Sequence, residues 1–286
     1  MKKTLLALGM TVSTIAVGMA VYASPDAHSV SDEIVAEQRH MLAQGTEGAG
    51  FGPQSPRDIS EVAGSNHRAF ESAPAQTAMN LCNIHFHENA EHKGGEFSTY
   101  AGNGDGHGYG TGYKYDGELT ASEMAEYSHP VGATDHGDLE PGDTIEVHYV
   151  YTTAQVEPGA TLGSCLSEAI NNPQLRVEAQ VYVLVNDDHA LDFVALTHHE
   201  VVDGLHQATN IPTDTGTPVQ YAGSTTGPGY NEAGSPFQVT WSVRPQVAKV
   251  SIGSVDTWLQ GNTFDEDHAH GVRNLVINPD LLSEIH

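Results

Sequence analysis

The sequence predicts a mainly β protein of the α+β class, a single domain behind a short leader, and three observations carry that expectation. Runs rich in β-branched and aromatic residues recur along the chain at strand length. The connections between them are short and rich in Gly and Pro. Helical periodicity is sparse, and the chain contains no internal repeat.

Residues 1–23 open with Met1-Lys2-Lys3, continue as an apolar run and end in Val21-Tyr22-Ala23, which has small residues at the places a signal peptidase reads. A secretory signal peptide cleaved after Ala23 is expected, and with it a periplasmic or secreted protein. The alternative, a membrane anchor, lacks a stop-transfer pattern, and no later stretch is long and apolar enough to span a bilayer. Residues 24–80 are polar and poorly periodic, and read as a leader packing on the domain. One short helix is expected there over 31–42, capped by Ser31, followed by an irregular Gly/Pro-rich stretch over 45–56. The β-rich catalytic domain is expected over 81–286. Its strands are expected at 81–88, 144–152, 175–186, 237–244 and 248–252, with 190–196 as a hairpin partner of 175–186 and a last apolar run at 272–277. Residues 101–117 place glycine at alternating positions and read as a long loop. No helix with a Lys-Ser/Thr start follows it, which excludes a nucleotide-binding phosphate loop.

The formal net charge is −26, and removal of residues 1–23 leaves 9 Lys+Arg against 37 Asp+Glu. Such a surface repels nucleic acid and anionic membranes and suits salty surroundings. No nucleic-acid or membrane partner is therefore expected, and the oligomeric state is open. The two cysteines, Cys82 and Cys165, form an even pair behind a signal peptide, which points to one disulfide. Two free thiols are the alternative.

The chemistry concentrates in Asn83-Ile84-His85-Phe86-His87-Glu88-Asn89-Ala90-Glu91-His92. Side chains alternate along a strand, so His85 and His87 share one face, roughly 6–7 Å apart at Cα, while Phe86 faces the core. Two imidazoles so spaced converge on one ion, and His148, in the strand-like run 144–151, is the best third ligand. Three neutral imidazoles with an open fourth position describe a catalytic Zn2+ site rather than a structural one. Asn83 and Glu146 each lie two residues before a histidine on the same face, where each can accept the free imidazole N–H and fix the tautomer. Seventeen histidines make chance clusters easy, so His189, His198, His199, His268 and His270 are read as surface residues.

Four segments, in order, resemble carbonic anhydrases, most closely the delta class. They are Gln54-Ser55-Pro56 with Ile59; His85-x-His87 with Glu91-His92; Glu146-x-His148; and Tyr221-x-Gly223-Ser224-Thr225-Thr226 followed by Val239-Thr240-Trp241. The interval from His87 to His148 is longer than in the alpha class, and Gly227 stands where a proline is expected. The resemblance implies an alpha-carbonic-anhydrase-like domain around a twisted, largely antiparallel sheet. It implies reversible hydration of carbon dioxide to bicarbonate and a proton by attack of a zinc-bound hydroxide. Glu91 would then accept from a threonine hydroxyl, Thr225 first and Thr226 next, that aligns the hydroxide. Val150, Val181, Val183 and Trp241 are candidates for the apolar wall that holds the substrate. His67 is the candidate proton shuttle, with His107 and His92 as rivals.

Two other readings compete. A cupin would use His85, His87, Glu91 and His148 as ligands to iron or manganese, but leaves the Gln54, Thr225 and Trp241 segments unexplained. A zinc-buffering protein would use the histidine-rich loops with no open coordination position.

Overall fold

A computed structural model describes residues 29–68, 70–226 and 231–286. The expected signal peptide, residues 1–23, lies outside the described residues. Helix α1 (Asp32–Thr46) comes first, then strand β1 (Asn80–Glu88), the hairpin β2 (Thr99–Asn103) and β3 (Thr111–Lys114), and the small ribbon β4 (Val131–Thr134) and β5 (Gly137–Leu139). Next come β6 (Thr144–Thr152), β7 (Leu175–Val185), the single-turn helix α2 (Phe193–Leu196), and the hairpin β8 (His199–Val202) and β9 (Leu205–Ala208). The chain then runs through β10 (Val219–Ser224), β11 (Gln238–Val243), β12 (Ala248–Ser251) and α3 (Ile252–Leu259). Among the described residues, no helix is long and apolar enough to cross a membrane.

Six strands form the main sheet, in the order β1-β6-β7-β11-β10, with β12 beside β7. β1, β6 and β7 are antiparallel neighbours, as are β10 and β11. β7 is fully buried and long enough to serve two parallel partners on its far edge. Its first half meets β11 (Val177↔Trp241) and its second half meets β12 (Val183↔Lys249). The sheet is thus mixed, and β7 reads as the continuous apolar run typical of a strand covered on both faces.

Alternation sorts the sheet into two cores. Ile145, Val147, Tyr149 and Tyr151 of β6 join Ile84 and Phe86 of β1 on one face, under Phe193 of α2 and Trp258 of α3. The opposite face buries Val150, Val177, Ala179, Val181 and Trp241. His85, His87 and His148 belong to that second face, at the open end of its core. The one disulfide, Cys82–Cys165, is fully buried there and ties β1 to a 3-10 turn, Leu162–Cys165.

Several expectations need correction. Residues 190–196 are not a hairpin partner of β7: Asp192 caps a helical turn by accepting from the Ala195 N–H, and Leu191 makes only a single bridge, to Val250. The 101–117 stretch is not all loop, because Thr111–Lys114 pairs with Thr99–Asn103 across a glycine turn. Ser31 does precede α1, yet its side chain makes no cap hydrogen bond and the helix runs on to Thr46. Residues 272–277 take no regular structure.

Candidate metal centre

The centre begins with strand register. β1 and β6 pair so that His85 lies directly opposite His148, and His87 follows two residues on along the same face. The ring centroids are 5.2 Å apart for His85 and His87, 5.1 Å for His85 and His148, and 4.7 Å for His87 and His148. One nitrogen from each ring lies within 4.8 Å of the other two.

Their partners fix which nitrogen faces inward. His85 Nδ1 lies 2.6 Å from Asn83 Oδ1, and Asn83 spends its Nδ2 on Gly159 O at 3.0 Å. The amide therefore presents its oxygen to His85, whose Nδ1 carries the hydrogen and whose Nε2 keeps a lone pair. His87 Nδ1 donates to the Gly271 carbonyl at 2.8 Å, which again leaves Nε2 bare. His148 donates from Nε2 to Glu146 Oε1 at 3.0 Å and turns Nδ1 inward. Three ring nitrogens thus converge.

Two observations say what they converge on. His87 Nε2 is buried with no hydrogen-bond partner, a costly state unless something ligates it. His85 Nε2 and His148 Nδ1 face each other at 3.3 Å, an arrangement of two lone pairs that a cation between them would satisfy. Burial holds the imidazole of His87 down to about 4, with His148 and His270 adding to the effect against the pull of Glu91. His85 is lowered too, first by burial and then by His148 and His87. Neutral imidazole is the form a divalent cation needs, so the donor set fits a zinc ion in the three-ligand, open-position pattern.

A second cluster, His92, Glu146 and His148, also lies within ligating distance, but its atoms are already spent. Glu146 accepts from His92 Nδ1 at 2.6 Å, from the His92 backbone N–H at 3.0 Å and from His148. His92 Nε2 meets the Tyr221 hydroxyl at 2.6 Å. That cluster is a closed hydrogen-bond network that holds His148 in place.

A cavity of about 270 Å³ opens over the three histidines. Val150 and Trp241 line it, as does Val177. Val181 and Val183 do not. They share the face of Val177, but the β6–β7 register sets Val177 opposite Val150 and puts Val181 and Val183 opposite Glu146 and Thr144, further along the strand. Thr161 and Leu162, beside the disulfide, complete the apolar wall.

Glu91, Thr225 and Thr226 all line the same cavity. Among the described residues, however, Glu91 does not receive a threonine hydroxyl. Its Oε1 accepts from the Arg273 backbone N–H at 3.1 Å, while the Thr225 hydroxyl points to Thr226 O at 3.4 Å. Glu91 is also not among the side chains whose ligand atoms converge with those of His85, His87 and His148, which counts against the cupin reading. Ser55 and Gln54 staple the base of the threonine segment: Ser224 N–H donates to Ser55 Oγ at 3.1 Å, and Ser235 N–H to Gln54 Oε1 at 2.7 Å.

His67 is exposed and does not line the cavity. His107 is exposed as well, and His92 is sealed inside by its two partners. The imidazole at the mouth is His270, read from sequence as a surface residue. Its ring centroid is 5.4 Å from that of His85, its side chain is 44% exposed, and its Nε2 lies 2.5 Å from Glu266 Oε2. His270, Glu266, Gly271 and Arg273 were beyond sequence reasoning because nothing local links residue 271 to a strand 184 positions earlier. The Glu266-x-x-x-His270 spacing, which pairs an acid with an imidazole, is the one signal that points to them.

Just past His87, Glu88 is a buried-side carboxyl raised to about 7, by burial first and by Asp143 second. Its charged form is therefore costly in the folded protein above pH 7, and the cost disappears below the ordinary value near 4.5, where both states are protonated. Glu88→Gln should raise stability at pH 7.5 by roughly 1–3 kcal/mol and leave it unchanged near pH 4. Urea unfolding at the two pH values checks this, and equal gains at both would contradict it.

The family model for delta carbonic anhydrases matches residues 76–254. No curated protein matches the chain. Among solved structures, the chain is similar to an alpha-carbonic anhydrase of Photobacterium profundum, at 16% identity over 86% of this chain and 95% of that one, with a TM-score of 0.28. It is also similar to the alpha-carbonic anhydrase of Thermovibrio ammonificans in complex with the inhibitor sulfanilamide, at 15% identity, 82% and 88% coverage and a TM-score of 0.27. A hyperthermostable carbonic anhydrase from an active hydrothermal vent chimney shares 13% identity, with 84% and 90% coverage and a TM-score of 0.28. The family match spans well over half the chain and takes in β1, β6 and all three converging histidines; the chain belongs to the delta carbonic anhydrase family.

Proposed function

We propose that this protein hydrates carbon dioxide reversibly to bicarbonate and a proton, with Zn2+ held by His85, His87 and His148. The observation that carries the proposal is the convergence of three imidazole ring nitrogens, one of them buried without a partner, at the floor of a cavity with one apolar wall. When bound, zinc acidifies a water and so supplies a nucleophile at neutral pH. The chain's own residues do the rest. Asn83, Glu146 and the Gly271 carbonyl hold the imidazole tautomers. Val150, Val177, Leu162 and Trp241 exclude water from the side on which an uncharged, apolar substrate would rest. Thr225 and Thr226 offer hydroxyls at the cavity for orienting the nucleophile, while Glu91 lines the same cavity and is held by the Arg273 backbone N–H.

The proton has to leave by a group that reaches both the centre and solvent. His270 takes this role in place of His67, with Glu266 fixing its ring. The proposed secretion rests on residues 1–23 and is supported by the disulfide, a bond that persists in oxidising compartments.

Stopped-flow hydration on protein of measured metal content tests the reading. Zinc near one per chain with no hydration would overturn it in favour of zinc buffering. In the same assay, His270→Ala should lower kcat roughly tenfold or more in weak buffer, leave KM in place and regain rate with added imidazole. An unchanged kcat would remove His270 from the proton path.

A further inference from the structure

Two of the three ligand orienters are held by the sheet itself. Asn83 and Glu146 sit two residues before the histidines they serve, in the same hydrogen-bonded strands. Gly271 is different. It belongs to an irregular strap, residues 266–275, whose backbone pairs with the β1 backbone through one residue: His270 N–H donates to Phe86 O at 2.9 Å, and Glu88 N–H donates to His270 O at 2.9 Å. The far side of the strap rests on the glycine turn between β2 and β3. Val272 N–H donates to Gly108 O at 2.9 Å, and a Cβ on Gly271 would stand 2.9 Å from the Gly108 carbonyl carbon. The position of the Gly271 carbonyl, and with it the ring of His87, therefore depends on two segments without regular structure.

We infer that Gln38 of α1 is a positioning residue of the metal centre, the side chain that locks these two segments together. It is buried, and both ends of its amide are used. Nε2 donates to Gly106 O of the glycine turn at 2.9 Å and approaches Glu232 Oε1 at 3.3 Å. Oε1 accepts from Asn274 Nδ2 of the strap at 2.7 Å. The Asn274 backbone N–H in turn donates to Asn231 Oδ1 at 2.8 Å, next to Glu232 in the sequence. One amide thus joins the turn under Gly271, the strap that carries it, and Glu232. Only a side chain with a donor and an acceptor at this reach does so: glutamate would face the Gly106 carbonyl and Glu232 with a second acceptor, and methionine offers neither partner. Both α1 and the strap lie outside residues 76–254, the segment shared with the family.

The inference rests on the proposed zinc centre, and its test separates the two. Gln38→Met keeps the volume and removes all three hydrogen bonds. If Gln38 positions the strap, the variant binds zinc three- to tenfold more weakly in chelator competition, a smaller loss than the 10–100-fold typical when an orienting group itself is removed. The Co2+-substituted visible spectrum shifts, and in the metal-free protein the Nδ1–H proton resonance of His87 moves or broadens. Asn274→Leu, which leaves α1 intact, gives the same pattern and covers the case of a poorly folded Gln38 variant. A folded Gln38→Met whose zinc affinity, cobalt spectrum and His87 resonance all match wild type, with only its melting temperature lowered, would reduce Gln38 to packing and overturn the inference. Wild-type protein that takes up no zinc would defeat the centre instead, while the His87 resonance in metal-free protein would still decide the role of Gln38.

Discussion

His148→Ala is expected to abolish carbon dioxide hydration, by a factor on the order of 10³ or more, because metal-ion catalysis supplies several kcal/mol of the barrier lowering. The substitution removes the Nδ1 ligand and leaves two imidazoles where a catalytic zinc takes three protein ligands. It also acts on the other side of the ring. Glu146 is fully buried and loses one of its three donors, at a cost of about 2 kcal/mol for a hydrogen bond to a charged group. Zinc content, hydration rate and the stability of the metal-free protein should therefore fall together. Retention of activity would strike His148 from the ligand set, and loss of activity with full zinc would place it elsewhere in the mechanism.

Glu146→Ala should be the most destabilising single change at the site. Burial would push this carboxyl up, but the attraction of His92 and the hydrogen bonds from His148 and His92 outweigh it and hold Glu146 well below the ordinary carboxylate range. It stays ionised, so its contribution is fully present above about pH 4.5 and is lost as pH falls through its lower folded value. Removing it leaves the His92 ring and backbone N–H groups and His148 Nε2–H without their acceptor in a dry interior. A loss of about 3–5 kcal/mol at pH 7 is expected, as for other broken buried pairs, with zinc affinity down roughly 10–100-fold because His148 loses its orienting partner. Urea unfolding of metal-free protein and chelator competition measure the two effects. A variant within 1 kcal/mol of wild type would mean that the network is ornamental to the fold. Glu146→Gln should be milder, since one oxygen remains to accept.

Alternation alone made much of this centre legible. Parity along β1 and β6 separates His85, His87, Asn83, His148 and Glu146 from Phe86, Val147 and Tyr149, and the run 144–152 is bounded as the structure bounds it. What parity lacks is register. Val181 and Val183 lie on the right face of β7, yet the residue beside the site is Val177, because the β6–β7 offset is set by the connection over 153–174 and not by either strand's own pattern. Contacts across long separations were equally hidden. Gly271, His270 and Arg273 reach the cavity through a strap with no periodic signal, and the Gln54-Ser55 pair proved to be a staple for the threonine segment. The missed helical turn at α2 was readable in retrospect, since Asp192 before Phe193-Val194-Ala195-Leu196 is a capping residue ahead of a short apolar turn.

The distance along the chain between His87 and the carbonyl that orients it, 184 residues, also sets an order of events during synthesis. Once the chain has been made to Thr152, β1 can pair with β6, and His85 and His148 already have Asn83 and Glu146 beside them. His87 has no fixed tautomer until residue 271 arrives and docks. The third imidazole is therefore oriented only by the nearly complete fold, and under the proposed zinc reading the full ligand set is assembled last.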